Sequence, residues 1–237
     1  MNFFNLFLLF FCAFVGGLAT FFFKKDQSRN LKLILSFSGA YLFSITVLHL
    51  LPEVYESGNH YTGLFIMAGF AFQIILEQFS QGIEHGHIHH HHSQTNNFPL
   101  GIILSLSIHA FFEGMPLSLD DPSPLVYGIA IHHIPASFAL ASILHQNKLG
   151  INKIVFLLFL FAIMTPLGLF ASKALSNGII ENLDSYFNLI MGIVIGMFLH
   201  ISTTILFESS VDHRFNLYKT IAILMGGGIA LLNFLFN

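Results

Sequence analysis

Eight apolar runs follow one another along this chain, each close to the length of a membrane crossing and separated only by short polar connections. They cover approximately Phe3–Phe23, Leu33–Leu51, Tyr61–Leu76, Phe98–Leu119, Leu125–Leu144, Ile154–Ala174, Tyr186–Phe207 and Tyr218–Phe236. A hydrocarbon core of ~30 Å is spanned by about 20 helical residues. Inside it each backbone polar group must be satisfied within its own segment, so the runs predict helices. The third run is the shortest before it meets a charge, at Glu77. Charged residues make up 9% of the chain and apolar ones 54%, where a soluble domain carries about 25% charged residues. The expected fold is therefore all-α: a polytopic membrane protein, eight transmembrane helices in one bundle, with residues 1–237 forming a single transmembrane domain. The connections leave no room for a separate soluble unit.

The formal net charge of −3 argues against a nucleic-acid partner. The single cysteine, Cys12, excludes an intrachain disulfide and reads as packing. The first run lacks a basic leader and is followed by Lys24-Lys25 rather than a small-residue cleavage site, so a helix is expected there and not a signal peptide. Basic residues set the orientation. With the N-terminus outside, the inner connections hold Lys24, Lys25, Arg29, Lys32, Lys148, Lys153, Arg214 and Lys219, against Lys173 alone on the outer side. Both termini are expected outside. Gly192 and Gly196, and the run Gly226-Gly227-Gly228, are small-residue patterns that let helices pack closely in lipid.

Against this apolar background, His109-Ala-Phe-Phe-Glu113-Gly114-Met115-Pro116 and Ile131-His132-His133-Ile134-Pro135 stand out. Ionisable side chains at bilayer depth are costly and imply a compensating role. His109 and Glu113 are four apart and share a helix face. Measured from Asp121 in the turn between the two runs, His109 lies 12 residues back and His132 lies 11 forward. One residue is about 1.5 Å of helix rise, so the two imidazoles sit at nearly equal depth. Two imidazoles and a carboxylate make a donor set suited to Zn²⁺, and tolerant of Fe²⁺, Mn²⁺ or Cd²⁺. Pro116 and Pro135 interrupt the backbone ladder beside these groups.

Other polar positions invite a role. His85, His87, His89, His90, His91 and His92 crowd a connection at about 80–97 that the charge bias places in the cytoplasm. Histidine clusters of this kind bind borderline metals. His49 and Glu53, four apart at the end of the second run, suit an entrance. His200 lies mid-run in the seventh, ahead of Thr204 and Glu208, and suits a pathway or an interhelical hydrogen bond. Glu77 and Glu84 end the third run, where an exit or a solvated helix end is expected.

The fourth run, His109-x-x-x-Glu113-Gly114, and the fifth, His132-x-Ile134-Pro135, resemble the ZIP family of divalent-metal transporters. His49-Leu50-Leu51-Pro52-Glu53, Met164-Thr165-Pro166-Leu167-Gly168 and the eight-span layout match it as well. The resemblance implies a secondary transporter that imports a divalent cation, Zn²⁺ first among them, through a site between the fourth and fifth helices. It implies a plasma membrane or bacterial inner membrane location, and a histidine-rich cytoplasmic loop. Many members carry a glutamate four residues after the fifth-helix histidine. Here that position is Ala136, with Ser137 a poor substitute, which points to one principal metal rather than a pair. His133 occupies a place where relatives vary and joins the candidate ligands. A homodimer is compatible with the sequence, and no organic cofactor is called for. The absence of a GxxxxGK[ST] loop argues against ATP hydrolysis. The rival classes are a membrane-embedded zinc hydrolase and an efflux carrier. Neither an HExxH helix nor an intramembrane HxxxH pair supports the hydrolase.

Overall fold

The computed structural model describes residues 3–22, 28–56, 58–80, 82–83, 99–118, 123–176, 184–208 and 217–236. Among them, eight helices are long and apolar enough to cross a membrane, and no strand occurs. We number them α1 (Phe3–Leu18), α2 (Ser28–Ile45, continued through Thr46–Leu50 and Leu51–Glu56), α3 (Thr62–Ser80), α4 (Leu100–Gly114), α5 (Ser123–Gln146), α6 (Ile151–Ser176), α7 (Asp184–Glu208) and α8 (Leu217–Phe236). The short third run is in fact a full span. α3 carries Glu77 inside its last turn and continues to Ser80, because that carboxylate has a partner across the bundle.

α2 and α4 depart from regular α geometry, and α1 ends in a 3-10 turn, Ala19–Phe21. Residues Thr46–Leu50 of α2 form a π turn, a rare local widening that is common near functional sites. α4 tightens after Gly114 into a 3-10 turn, Met115–Ser118. Pro116 has no N–H to extend the ladder, and the Met115 N–H closes onto the Phe112 carbonyl instead. Pro135 and Pro166 lie within continuous helices, α5 and α6.

The helices pack in two groups. α1 lies against α5 and α6, and α4 against α6; α3 lies against α7, and α2 against α8 and α7; the α2–α5 and α3–α4 contacts join the two groups. Small residues permit the closest approaches. A methyl group at Gly114 would overlap the Thr165 carbonyl, and one at Gly168 the Phe111 carbonyl, so α4 and α6 touch through their backbones. In the other group Gly196 meets the Ile66 carbonyl and Gly226 the Phe37 carbonyl. The two glycine patterns thus act as packing surfaces, although Gly228 has open space around it.

Burial is uneven along the membrane normal. Toward the end bearing Glu53, one apolar cluster draws on both groups: Leu42 and Ile45 of α2, Leu125 and Ile129 of α5, Val194 and Phe198 of α7. The α2–α5 seam is fastened by the Tyr41 hydroxyl, which donates to the Pro124 carbonyl at 2.9 Å. Toward the Ser80 end the cores are separate. Leu106, Leu140, Leu158 and Phe161 belong to the α1–α4–α5–α6 group, and Leu35, Ile201 and Ile205 join α2 to α7.

Candidate metal centre

The polar residues of α4 and α5 sit where the two apolar clusters meet. Ala110 belongs to one cluster and Met115 to the other, with Glu113 between them; Ala130 and Ala139 bracket His132 and His133 in the same way. His109, Glu113, His132 and His133 are each no more than 2% exposed. One donor atom each from His109, Glu113 and His132 lies within 4.8 Å of the others. The helical spacing and the depth match across the 119–122 connection therefore converge on a single point.

The Glu113 carboxylate is the hub. Its Oε1 lies 3.2 Å from His109 Nε2, and its Oε2 lies 2.6 Å from His133 Nε2. In a tetrahedral Zn²⁺ site with ligands at ~2.0–2.1 Å, neighbouring donors are separated by about 3.3 Å. The His109–Glu113 edge already has that length. The trio as a whole spreads to within 4.8 Å, up to about 1.5 Å wider than that edge. The His133 contact is shorter than a ligand–ligand edge and has hydrogen-bond length. That contact places the His133 imidazole against the carboxylate from the α5 side. Glu113 Oε1 and His133 Nδ1 are buried and have no hydrogen-bond partner among the described residues. A buried carboxylate oxygen left in that state is costly, and a cation would satisfy it. His133 also packs against Phe161 of α6, with ring centroids 5.6 Å apart.

Position 136 is a fully buried alanine, and the Ser137 hydroxyl donates to the Ile134 carbonyl on its own helix. Neither supplies a donor to the trio. The motif on α6 serves the packing of α4, since Thr165 Oγ1 donates to the Ala110 carbonyl at 3.0 Å, one residue from His109. With the Gly114–Gly168 approach, this holds α4 in fixed register on α6.

The remaining candidates separate. His200 of α7 has its Nε2 3.3 Å from Glu77 Oε2 on α3, with its ring edge-on to Phe70. His49 lies within the π turn of α2 and Glu53 in the helical turn that follows it. His49 packs against Phe234 of α8. Glu53 lines a cavity of about 30 Å³ with Leu50, Val54, Pro116, Asn188, Met191 and Ile195, and His49 is not part of its wall. His85, His87, His89, His90, His91 and His92, together with Glu84, lie outside the described residues. Two features were not singled out in the sequence. One is the partnership of Glu77 with His200, whose members are 123 positions apart. The other is Gln73, a fully buried amide on α3, whose only signal was a lone polar letter in an apolar run.

A sequence profile of the ZIP zinc transporter family matches residues 84–233, more than half of the chain. The chain belongs to the ZIP family. Protein zntD of Dictyostelium discoideum is a relative, 28% identical over 164 residues that cover 62% of this chain and 24% of that protein. The chain therefore spans about a quarter of that relative's length. The matched region of this ZIP protein includes all four buried site residues on α4 and α5, together with His200. Family membership and eight apolar helices make it an integral membrane protein.

Proposed function

We propose that this ZIP protein is a secondary transporter that carries a divalent cation, Zn²⁺ foremost, into the cytoplasm through His109, Glu113 and His132. The observation that carries this reading is the buried trio itself: three donors of the right chemistry, within 4.8 Å, at the middle of the bundle. The ion enters from the Glu53 end, past the cavity beside Pro116, and exchanges its hydration shell for two imidazoles and a carboxylate. One metal is held at a time, since the place that would complete a pair is Ala136. Glu77 and His200, nearer the Ser80 end, receive the ion on its way out. The division into two helix groups supports a rocking of α1–α4–α5–α6 against α2–α3–α7–α8, the usual way in which a fixed site is exposed to each side in turn. The basic connections make the Ser80 end cytoplasmic and put both termini outside.

The rival hydrolase requires Glu113 as a general base beside a metal-bound water. Both of its oxygens already face imidazoles, which disfavours that role. The deciding experiment is uptake of radiolabelled Zn²⁺ into cells expressing the wild type or His109→Ala at matched levels. Saturable inward uptake by the wild type, lost in the variant, is the expected outcome. Less accumulation than in empty cells would reverse the direction, and no flux either way would end the transport reading.

A further inference from the structure

Gln73 is the least accounted-for polar residue of the bundle. It is 0% exposed, and neither its Oε1 nor its Nε2 has a hydrogen-bond partner among the described residues. A long, flexible amide is a poor choice for inert packing in a membrane helix: burying it unpaired is penalised, and fixing it costs rotamer entropy. Leucine or methionine would fill the same volume without either cost.

Its surroundings say where it stands. On the α7 side, Gly69 one turn before it packs on the Ile193 carbonyl, and Glu77 one turn after it pairs with His200. On the α4 side, Phe72 packs edge-on against Phe112, and the Ser105 hydroxyl donates to the Leu76 carbonyl at 2.6 Å. The two α3–α4 contacts run antiparallel and bracket Gln73 level with the turn of α4 that carries His109. Gln73 thus shares the face of α3 that carries Gly69 and Glu77 toward α7, beside the contacts of α3 with α4. From Gln73 to Glu77 is four residues of helix, about 6 Å of rise.

We propose that the Gln73 amide is a neutral transfer contact for the divalent cation, between the His109–Glu113–His132 site and the Glu77–His200 pair. This rests on the transport reading above. Its carbonyl oxygen can ligate a hard or borderline cation, or accept a hydrogen bond from a water of the ion's shell, while its N–H₂ donates to a second water. Being uncharged, it lets the ion pass without holding it as a carboxylate would.

The test uses the full-length chain, with Zn²⁺ as the probe. In Gln73→Leu, the maximal Zn²⁺ uptake rate per molecule should fall at least five-fold. Zn²⁺ affinity of the purified protein should stay within two-fold of wild type, and the melting temperature should be equal or higher. Unchanged uptake would make Gln73 a packing residue and overturn the proposal, as would a parallel loss of Zn²⁺ binding. A second arm does not depend on flux. In Cys12→Ala membranes, a cysteine in place of Gln73 (Q73C) should react with a small cationic thiol reagent, at least three-fold more slowly when Zn²⁺ is present. No reaction, or reaction indifferent to Zn²⁺, would overturn it. His109→Ala run alongside separates the two readings: if it abolishes uptake while Gln73→Leu does not, transport stands and the role of Gln73 falls.

Discussion

Glu113 divides its two oxygens between two histidines that behave differently, and this predicts distinct phenotypes. Replacing Glu113 by Gln removes the carboxylate charge of the trio and one of the two oxygens that face His109 and His133. Uptake should fall below detection in the isotope assay. His133→Asn should leave the metal stoichiometry at one per chain while weakening Zn²⁺ affinity about 10–100-fold, the usual cost of losing a residue that orients a ligand. Equilibrium dialysis of the purified variant measures both quantities. An unchanged affinity would make His133 a spectator. The trio was legible in the sequence because the short 119–122 connection sets His109 and His132 at nearly equal depth and helical spacing puts Glu113 on the face of His109. The contact of His133 with Glu113 was not, because one position along a helix turns a side chain by about 100° and only the packing of α5 on its neighbours shows where it points. Glu77 with His200, and the buried Gln73, were hidden for a related reason. Their positions depend on which distant helix becomes the neighbour, and nothing local encodes that.

At the scale of single helices, α4 and α6 behave as one body. The Gly114–Gly168 approach leaves no space for a side chain, and Thr165 ties α6 to the Ala110 carbonyl. Gly168→Val should therefore destabilise the protein by about 1–3 kcal/mol, the usual range for overpacking a tight contact. Its melting temperature in detergent should fall by several degrees, and Zn²⁺ affinity should weaken with it because α4 carries two of the donors. Unaltered melting would mean that the helices can part without cost. The apolar runs announced the eight helices, and the charged end of α3 misled only on its length. The π turn of α2 left no mark in the sequence. His49, within that turn, packs against Phe234 of α8.

For the molecule as a whole, motion between the two helix groups must break the cluster that seals the Glu53 end. Leu42 of α2 packs on Gly128 of α5 in that seal. Cysteines at both positions in a Cys12→Ala background (L42C, G128C), once joined by a short crosslinker, should abolish uptake, and a cleavable linker should restore it on reduction. Undiminished uptake by the joined protein would rule out a rocking motion at this seam. Uptake should also weaken as external pH falls through the imidazole range, because protons compete with the cation for its nitrogen ligands. A steady rise in Zn²⁺ uptake over the same interval would contradict this ligand set.

The alanine at position 136 bears on how long an ion stays. With neutral imidazoles, one carboxylate around a doubly charged guest leaves a surplus positive charge in a poorly polarisable interior, where such imbalance is felt strongly. A second carboxylate would cancel it and deepen the well. Under the proposed transport role, the shallower well of a single carboxylate would shorten the dwell time of each ion and trade retention for turnover.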